Sequence, residues 1–148
     1  MFNYNKKIKR SYLRQSNGNI LVEAALVIPL LVGITFFVVE FGNVFYLMNG
    51  LSQVARNAAR FASVTPAYTQ QDLINASGAN SMLPDIKKFS LTIIPSAGSQ
   101  RFVGAAITVT VQYNYTPYIN PFGLFNIDKP WAPVLRSSSV VRSEVSNV

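Results

Sequence analysis

The sequence predicts an α+β protein in which a long N-terminal transmembrane and spine α-helix packs on a small antiparallel β-sheet outer domain. Three observations carry that prediction. Residues 20–41 form an apolar run whose only charges are Glu23 and Glu40. Residues 44–62 prolong it with apolar side chains at steps of three and four, the period of one helix face. Residues 89–115 contain stretches that alternate apolar and polar, the period of a half-buried strand. The chain divides accordingly into a basic leader (1–18), a transmembrane and amphipathic helix (19–62) and an extracytoplasmic α+β domain (63–148).

The leader explains the charge. The chain carries a net +7, but Lys6, Lys7, Lys9, Arg10 and Arg14 all precede residue 15, where no acid occurs. From Asn19 onward 8 basic residues face 6 acidic ones. A surface that neutralises many phosphates is therefore not expected, and nucleic acid is excluded as a partner. Met1 to Ser16 is polar, lacks apolar periodicity and is expected to be poorly ordered. The sequence contains no cysteine and no histidine, which removes thiol nucleophiles, imidazole bases and the usual zinc ligands. No metal, no cofactor and no small-molecule substrate are expected, and the chain does not read as an enzyme. Ser137 to Ser139 beside Lys129 are better explained as strand-surface serines than as nucleophiles.

The helix begins at the glycine that follows the leader. Between Glu23 and Glu40 lie 16 uncharged residues, about 24 Å of helix, and the flanking apolar residues bring the run to the roughly 30 Å of a hydrocarbon layer. Basic residues before the span, and none after it until Arg56, place the N-terminus in the cytoplasm. The span offers no small-x-small cleavage site at its far end, so the helix is expected to be retained. Membrane lipid is thus a partner, and the chain is expected to be single-pass in the cytoplasmic membrane. A carboxylate inside such a run is costly and requires a partner or a purpose. Glu23 reads either as a first-turn acid favoured by the helix dipole or as the partner of a positive charge. Glu40 reads as a wetted acid at the outer interface or as an intersubunit partner. Pro29 removes one helical hydrogen bond and either kinks the turn before it or is simply tolerated in lipid.

Beyond the span, Val44, Leu47, Met48, Leu51, Val54, Ala55, Ala58, Ala59 and Ala62 make one stripe, with polar residues opposite. That small-residue stripe is the natural cover for a sheet. Arg56 and Arg60 share a face one turn apart; they are either a solvated basic edge near lipid headgroups or contacts for a partner's carboxylates.

In the outer domain, Thr69-Gln-Gln-Asp72 has the form of an N-terminal capping box and opens a short helix to about Asn80. Phe89 to Ile94 alternates as a strand, Ser96 to Gln100 is its turn, and the returning strand sets Val103, Ala105, Ile107, Val109, Val111, Tyr113 and Tyr115 on one face. Pro117 to Pro133 is an apolar loop: a lid over the sheet, or an exposed partner surface built on Tyr118, Phe122 and Trp131. Val134 to Glu144 returns as a serine-rich strand.

Gly18-Asn-Ile-Leu-Val-Glu23 resembles the recognition site of a prepilin peptidase, with cleavage between Gly18 and Asn19. Together with Pro29, Glu40-Phe-Gly42 and Gln53-Val-Ala-Arg-Asn-Ala-Ala-Arg60, it resembles the TadE-like pseudopilins of Tad (tight adherence, Flp-type) pilus systems. Ala24 follows Glu23, where Flp-type sites usually carry Phe or Tyr. The resemblance implies a minor pseudopilin, a structural and assembly component of the pilus, joined to its neighbours through the N-terminal helix. It implies that Glu23 neutralises the new ammonium at Asn19 of an adjacent subunit, and that Glu40, Arg56 and Arg60 lie in the assembly region. The partners it implies are a prepilin peptidase, other pseudopilins, the major pilin and the inner-membrane assembly platform, with the outer domain reaching the cell surface in the pilus. The rival reading is an uncleaved, single-span membrane-anchored binding module whose Tyr113, Tyr115, Tyr118, Phe122 and Trp131 recognise a ligand.

Overall fold

A computed structural model describes residues 5–118 and 132–146, with 5–17 as helical backbone alone. The chain separates into two compact units, 1–39 and 40–148. Helix α1 (Asn5–Val64) contributes to both. The architecture is α+β.

In the first unit α1 begins at Asn5, fourteen residues before the expected start, so the basic leader is helical rather than irregular from that point. Lys, Arg, Gln and Leu are good helix formers, and no proline or glycine intervenes before Gly18 to stop propagation. The backbone stays helical on both sides of Pro29. One missing N–H costs a helix of this length a single hydrogen bond. The segment from Gly18 onward is long and apolar enough to cross a membrane, with mean hydropathy 2.5 in its most apolar window and none of that window buried. Leu21, Leu26 and Leu30 are each more than 60% exposed, an unfavourable state in water and a natural one in hydrocarbon.

The second unit opens at Glu40. Its sheet holds three antiparallel strands in the order β1 (Phe89–Ile94), β2 (Ala106–Asn114), β3 (Val134–Arg142). β2 lies in the centre, with Leu91 opposite Val111 on one side and Ser137 opposite Val111 on the other. Alternation sends Ile107, Val109, Val111 and Tyr113 inward and leaves Thr108, Thr110 and Gln112 on the wetter face. The inward face meets the outer half of α1, whose Leu51, Val54, Ala55, Ala58, Ala59 and Ala62 are almost wholly buried in the same cluster. Small side chains at these steps let helix and sheet approach closely, and the burial of each large partner contributes about 1.5–3 kcal/mol before ordering costs. The contact is also polar at one point: Ser52 Oγ and Ser137 Oγ are 3.3 Å apart. Ser137 and Ser139 are thus half-buried on the inward face of β3, and only Ser138 of the three is exposed.

In chain order α1 is followed by α2 (Gln70–Ser77), which starts with the expected capping box: Asp72 N donates to Thr69 Oγ1 and Thr69 N donates back to the Asp72 carboxylate. It ends earlier than expected, because Gly78 takes a left-handed conformation (φ 76°) that breaks the helix before α3 (Ala79–Met82). Asn57 of α1 donates to Ser77 O at 3.2 Å and fixes α2 against the spine.

The β1–β2 connection differs from expectation. The turn at Ser96 to Ser99 is present, but β2 begins only at Ala106, and Val103 is 68% exposed rather than inward. Arg101 turns inward instead, and Gly104 (φ 87°) reverses the chain after it. The expected strand to Glu144 ends at Arg142, where the Glu144 amide leaves the sheet to donate to Ser63 O of α1 at 2.8 Å. The apolar loop between Pro117 and Pro133, including Phe122 and Trp131, lies outside the described residues apart from its ends.

Candidate functional site

The candidate assembly residues are distributed along α1 and fall into three settings. Gly18 and Asn19 are exposed and helical, and beyond the neighbouring residues and the helix's own backbone no atom lies within 4 Å of the position a Cβ would take at Gly18. Glu23 follows Asn19 by four residues and therefore shares its helix face. It is exposed, an acid displayed among Ile20, Leu21, Val22 and Leu26, all of them exposed as well. In hydrocarbon such a carboxylate calls for a partner.

Glu40 is not the wetted acid of the first expectation. It is only 8% exposed, enclosed by its own domain. The Tyr115 hydroxyl donates to Glu40 Oε1 at 2.5 Å and the Tyr118 amide donates to the same oxygen at 3.2 Å. Oε2 is buried and has no partner among the described residues. Burial, and then the Glu40 hydrogen bond and charge, push the Tyr115 phenol well above the usual tyrosine range. The acid therefore ties the first turn of the outer domain to the end of the central strand. The requirement for a partner was legible in the sequence; Tyr115 as that partner was not, since nothing local links positions 75 residues apart.

Arg56 and Arg60 are both exposed on the solvent side of α1, opposite the buried Ala stripe. Their exposure leaves them open to headgroups or to another protein. The structure does not bring them together with Glu23 or Glu40. One further residue, unmarked in the sequence reading, controls this end of the helix. Arg101 is 3% exposed and donates to Ala62 O (2.9 Å), Thr65 O (3.0 Å), Pro66 O (2.9 Å) and the Tyr68 hydroxyl (3.0 Å). Its guanidinium also stands 4.6 Å from the Tyr68 ring centroid. The signal available in sequence was negative: α1 ends without a basic residue in its last turn, so its orphan carbonyls needed a distant donor.

The aromatic surface of the rival reading is reduced. Tyr113 and Tyr115 are each 3% exposed and belong to the core, so neither can meet a ligand. Tyr118 is 76% exposed and lines two open grooves of about 250 and 160 Å³. Phe122 and Trp131 lie outside the described residues. No group of three potential metal-ligating side chains occurs among the described residues.

Comparison with known proteins places one segment. Residues 18–60 match the family model described as TadE-like protein, a segment that starts at the leader glycine, holds Glu23, Glu40, Arg56 and Arg60, and covers less than a third of the chain. No curated protein and no solved structure matches the chain.

Proposed function

With the TadE-like match over residues 18–60 as premise, we propose that the chain is a minor pseudopilin of a Tad-type pilus, anchored by one helix with its N-terminus in the cytoplasm and its sheet domain outside. A prepilin peptidase removes residues 1–18, and the Asn19 ammonium so formed is neutralised by Glu23 of a neighbouring subunit. The other pseudopilins, the major pilin and the inner-membrane assembly platform are the partners of the mature helix.

The observation that carries this reading is Glu23: an exposed carboxylate in an exposed apolar helix, five residues past an exposed glycine, at the start of the matched segment. An unpaired charge in an apolar run is costly in lipid, about 2.5–3.5 kcal/mol at the bilayer centre by insertion scales and less toward the membrane edge where Glu23 lies. A sheet domain this size suits an initiating or tip position, because its bulk prevents the close lateral packing of a bare helix. Arg56 and Arg60 extend the assembly face beyond the lipid.

The test is the mass of the membrane-embedded form together with the fate of Glu23→Ala. Loss of residues 1–18, with the variant inserted normally but absent from pili, is the expected result. A chain that keeps Met1 while pili form normally overturns the reading in favour of the uncleaved anchored module.

A further inference from the structure

The outer edge of β3 is open. In the β2–β3 ladder the Ser143 amide donates to Ala105 O at 2.8 Å and the Tyr115 amide donates to Pro133 O at 3.1 Å. Hydrogen-bonded pairs in an antiparallel ladder recur every two residues, and the register sets Ser139 opposite Val109. The odd-numbered residues from 133 to 143 therefore aim their backbone at β2. Val134, Arg136, Ser138, Val140 and Arg142 aim their N–H and C=O groups away from the sheet, and all five are exposed. None of those groups bonds to a described residue.

Covered edges exist in the same domain for comparison. The next even-numbered residue, Glu144, gives its amide to Ser63 O of α1. On the opposite edge, the Leu91 carbonyl of β1 accepts from Gln70 Nε2 at 2.8 Å. β3 is also the longer edge, 9 residues against 6 in β1, and it contains neither proline nor glycine. A long regular edge with free backbone groups is a template for a further strand.

We propose that this edge receives an extended acidic strand from a partner protein, added to the sheet beside β3 with carboxylates opposite Arg136 and Arg142. Charge selects the occupant. β3 reads Val-Leu-Arg-Ser-Ser-Ser-Val-Val-Arg and holds no acid. Two copies joined edge to edge would set four guanidinium groups on one sheet face, and like charges across strands are destabilising. The arginines thus discriminate against self-pairing while favouring an acidic partner. Main-chain hydrogen bonds supply affinity, and the side chains at alternate positions supply selectivity. This surface is independent of leader cleavage and of helix assembly, so either can fail without the other.

The experiment uses the full chain in detergent micelles and a labelled synthetic peptide of alternating threonine and valine with two glutamates six residues apart. Fluorescence anisotropy should show binding of this peptide and not of its counterpart with lysines in place of the glutamates. Ser138→Pro removes an outward N–H and no ladder bond, so it should weaken binding about tenfold or more while the melting transition stays in place. The double variant Arg136→Glu with Arg142→Glu should reverse the preference to the lysine peptide. If the proline variant does not fold, the charge reversal decides alone. Absence of binding, equal binding of the two peptides, or a preference unchanged by charge reversal overturns the proposal.

Discussion

The Tyr115 hydroxyl donates to Glu40 Oε1 across 75 residues of sequence, and it does so with only 8% of Glu40 exposed. That bond joins the first residue of the outer unit to the end of its central strand. The second carboxylate oxygen is buried without a partner among the described residues, so loss of the hydroxyl leaves the buried carboxylate with the Tyr118 amide as its donor. Tyr115→Phe should destabilise the outer domain by about 1–3 kcal/mol, the cost of removing the shorter of two hydrogen bonds to a buried carboxylate. In a Glu40→Gln background the same substitution should cost less, since no charge is then stranded. Chemical denaturation of the four forms in micelles, read as a double-mutant cycle, measures the difference; additive effects would dissolve the coupling.

Three phenols sense alkali through the fold. Burial raises Tyr68, Tyr113 and Tyr115 above the ordinary 10.0, with Arg101 partly opposing it at Tyr68 and Glu40 reinforcing it at Tyr115. A folded state that holds these protons more tightly than the unfolded chain gains stability that is whole below about pH 10 and is lost as pH climbs through the folded values. Phenolate absorbance followed together with circular dichroism should show these tyrosines ionising with the loss of tertiary structure. Tyr115→Phe should move that transition. Ionisation of all tyrosines near pH 10 with the fold intact would contradict the assignment.

Much of this domain was legible because its signals are local. The Ala stripe from Ala55 to Ala62, the Thr69–Asp72 capping box and the alternation from Ile107 to Tyr113 each declare their structure within one or two turns of chain. Val103 continues the same alternation and is nonetheless exposed, because the chain turns there: the Ala105 amide donates to Phe102 O and Gly104 takes a left-handed φ, so the strand begins only after it. Glu40 and Arg101 are both cases in which the sequence poses a need, for a carboxylate partner or a helix cap, while the residue that answers it lies far along the chain. Glu23, Arg56 and Arg60 were legible as charges on the helix, and all three are exposed.

Arg101 ties the end of α1 to the chain that follows it. Its guanidinium serves three carbonyls and one hydroxyl at the end of α1. A lysine keeps the charge but not the planar fork that reaches them together. Arg101→Lys should therefore behave more like Arg101→Ala than like wild type, each losing about 3 kcal/mol or more. Hydrogen exchange should quicken first at Thr65 and in the segment that follows α1. Full retention of the melting transition by the lysine variant would show that charge alone suffices.

The two sides of α1 beyond the span answer to different partners, and two substitutions separate them. Ala58 is wholly buried against the sheet, so Ala58→Leu forces new volume into a closed contact and should destabilise the outer domain by about 1–3 kcal/mol. Arg60 lies half a turn further round and is exposed. Its replacement by Ala touches nothing in the core, and its effect on stability should stay within about 0.5 kcal/mol. Assembly should respond in the opposite sense: Arg60→Ala, and more so the pair Arg56→Ala with Arg60→Ala, should fold normally and lose co-purification with other pilus components in detergent extracts. Ala58→Leu should lose that association only to the extent that it unfolds. Normal association of the double arginine variant would confine these residues to lipid headgroups or solvent and leave assembly to the helix before Glu40.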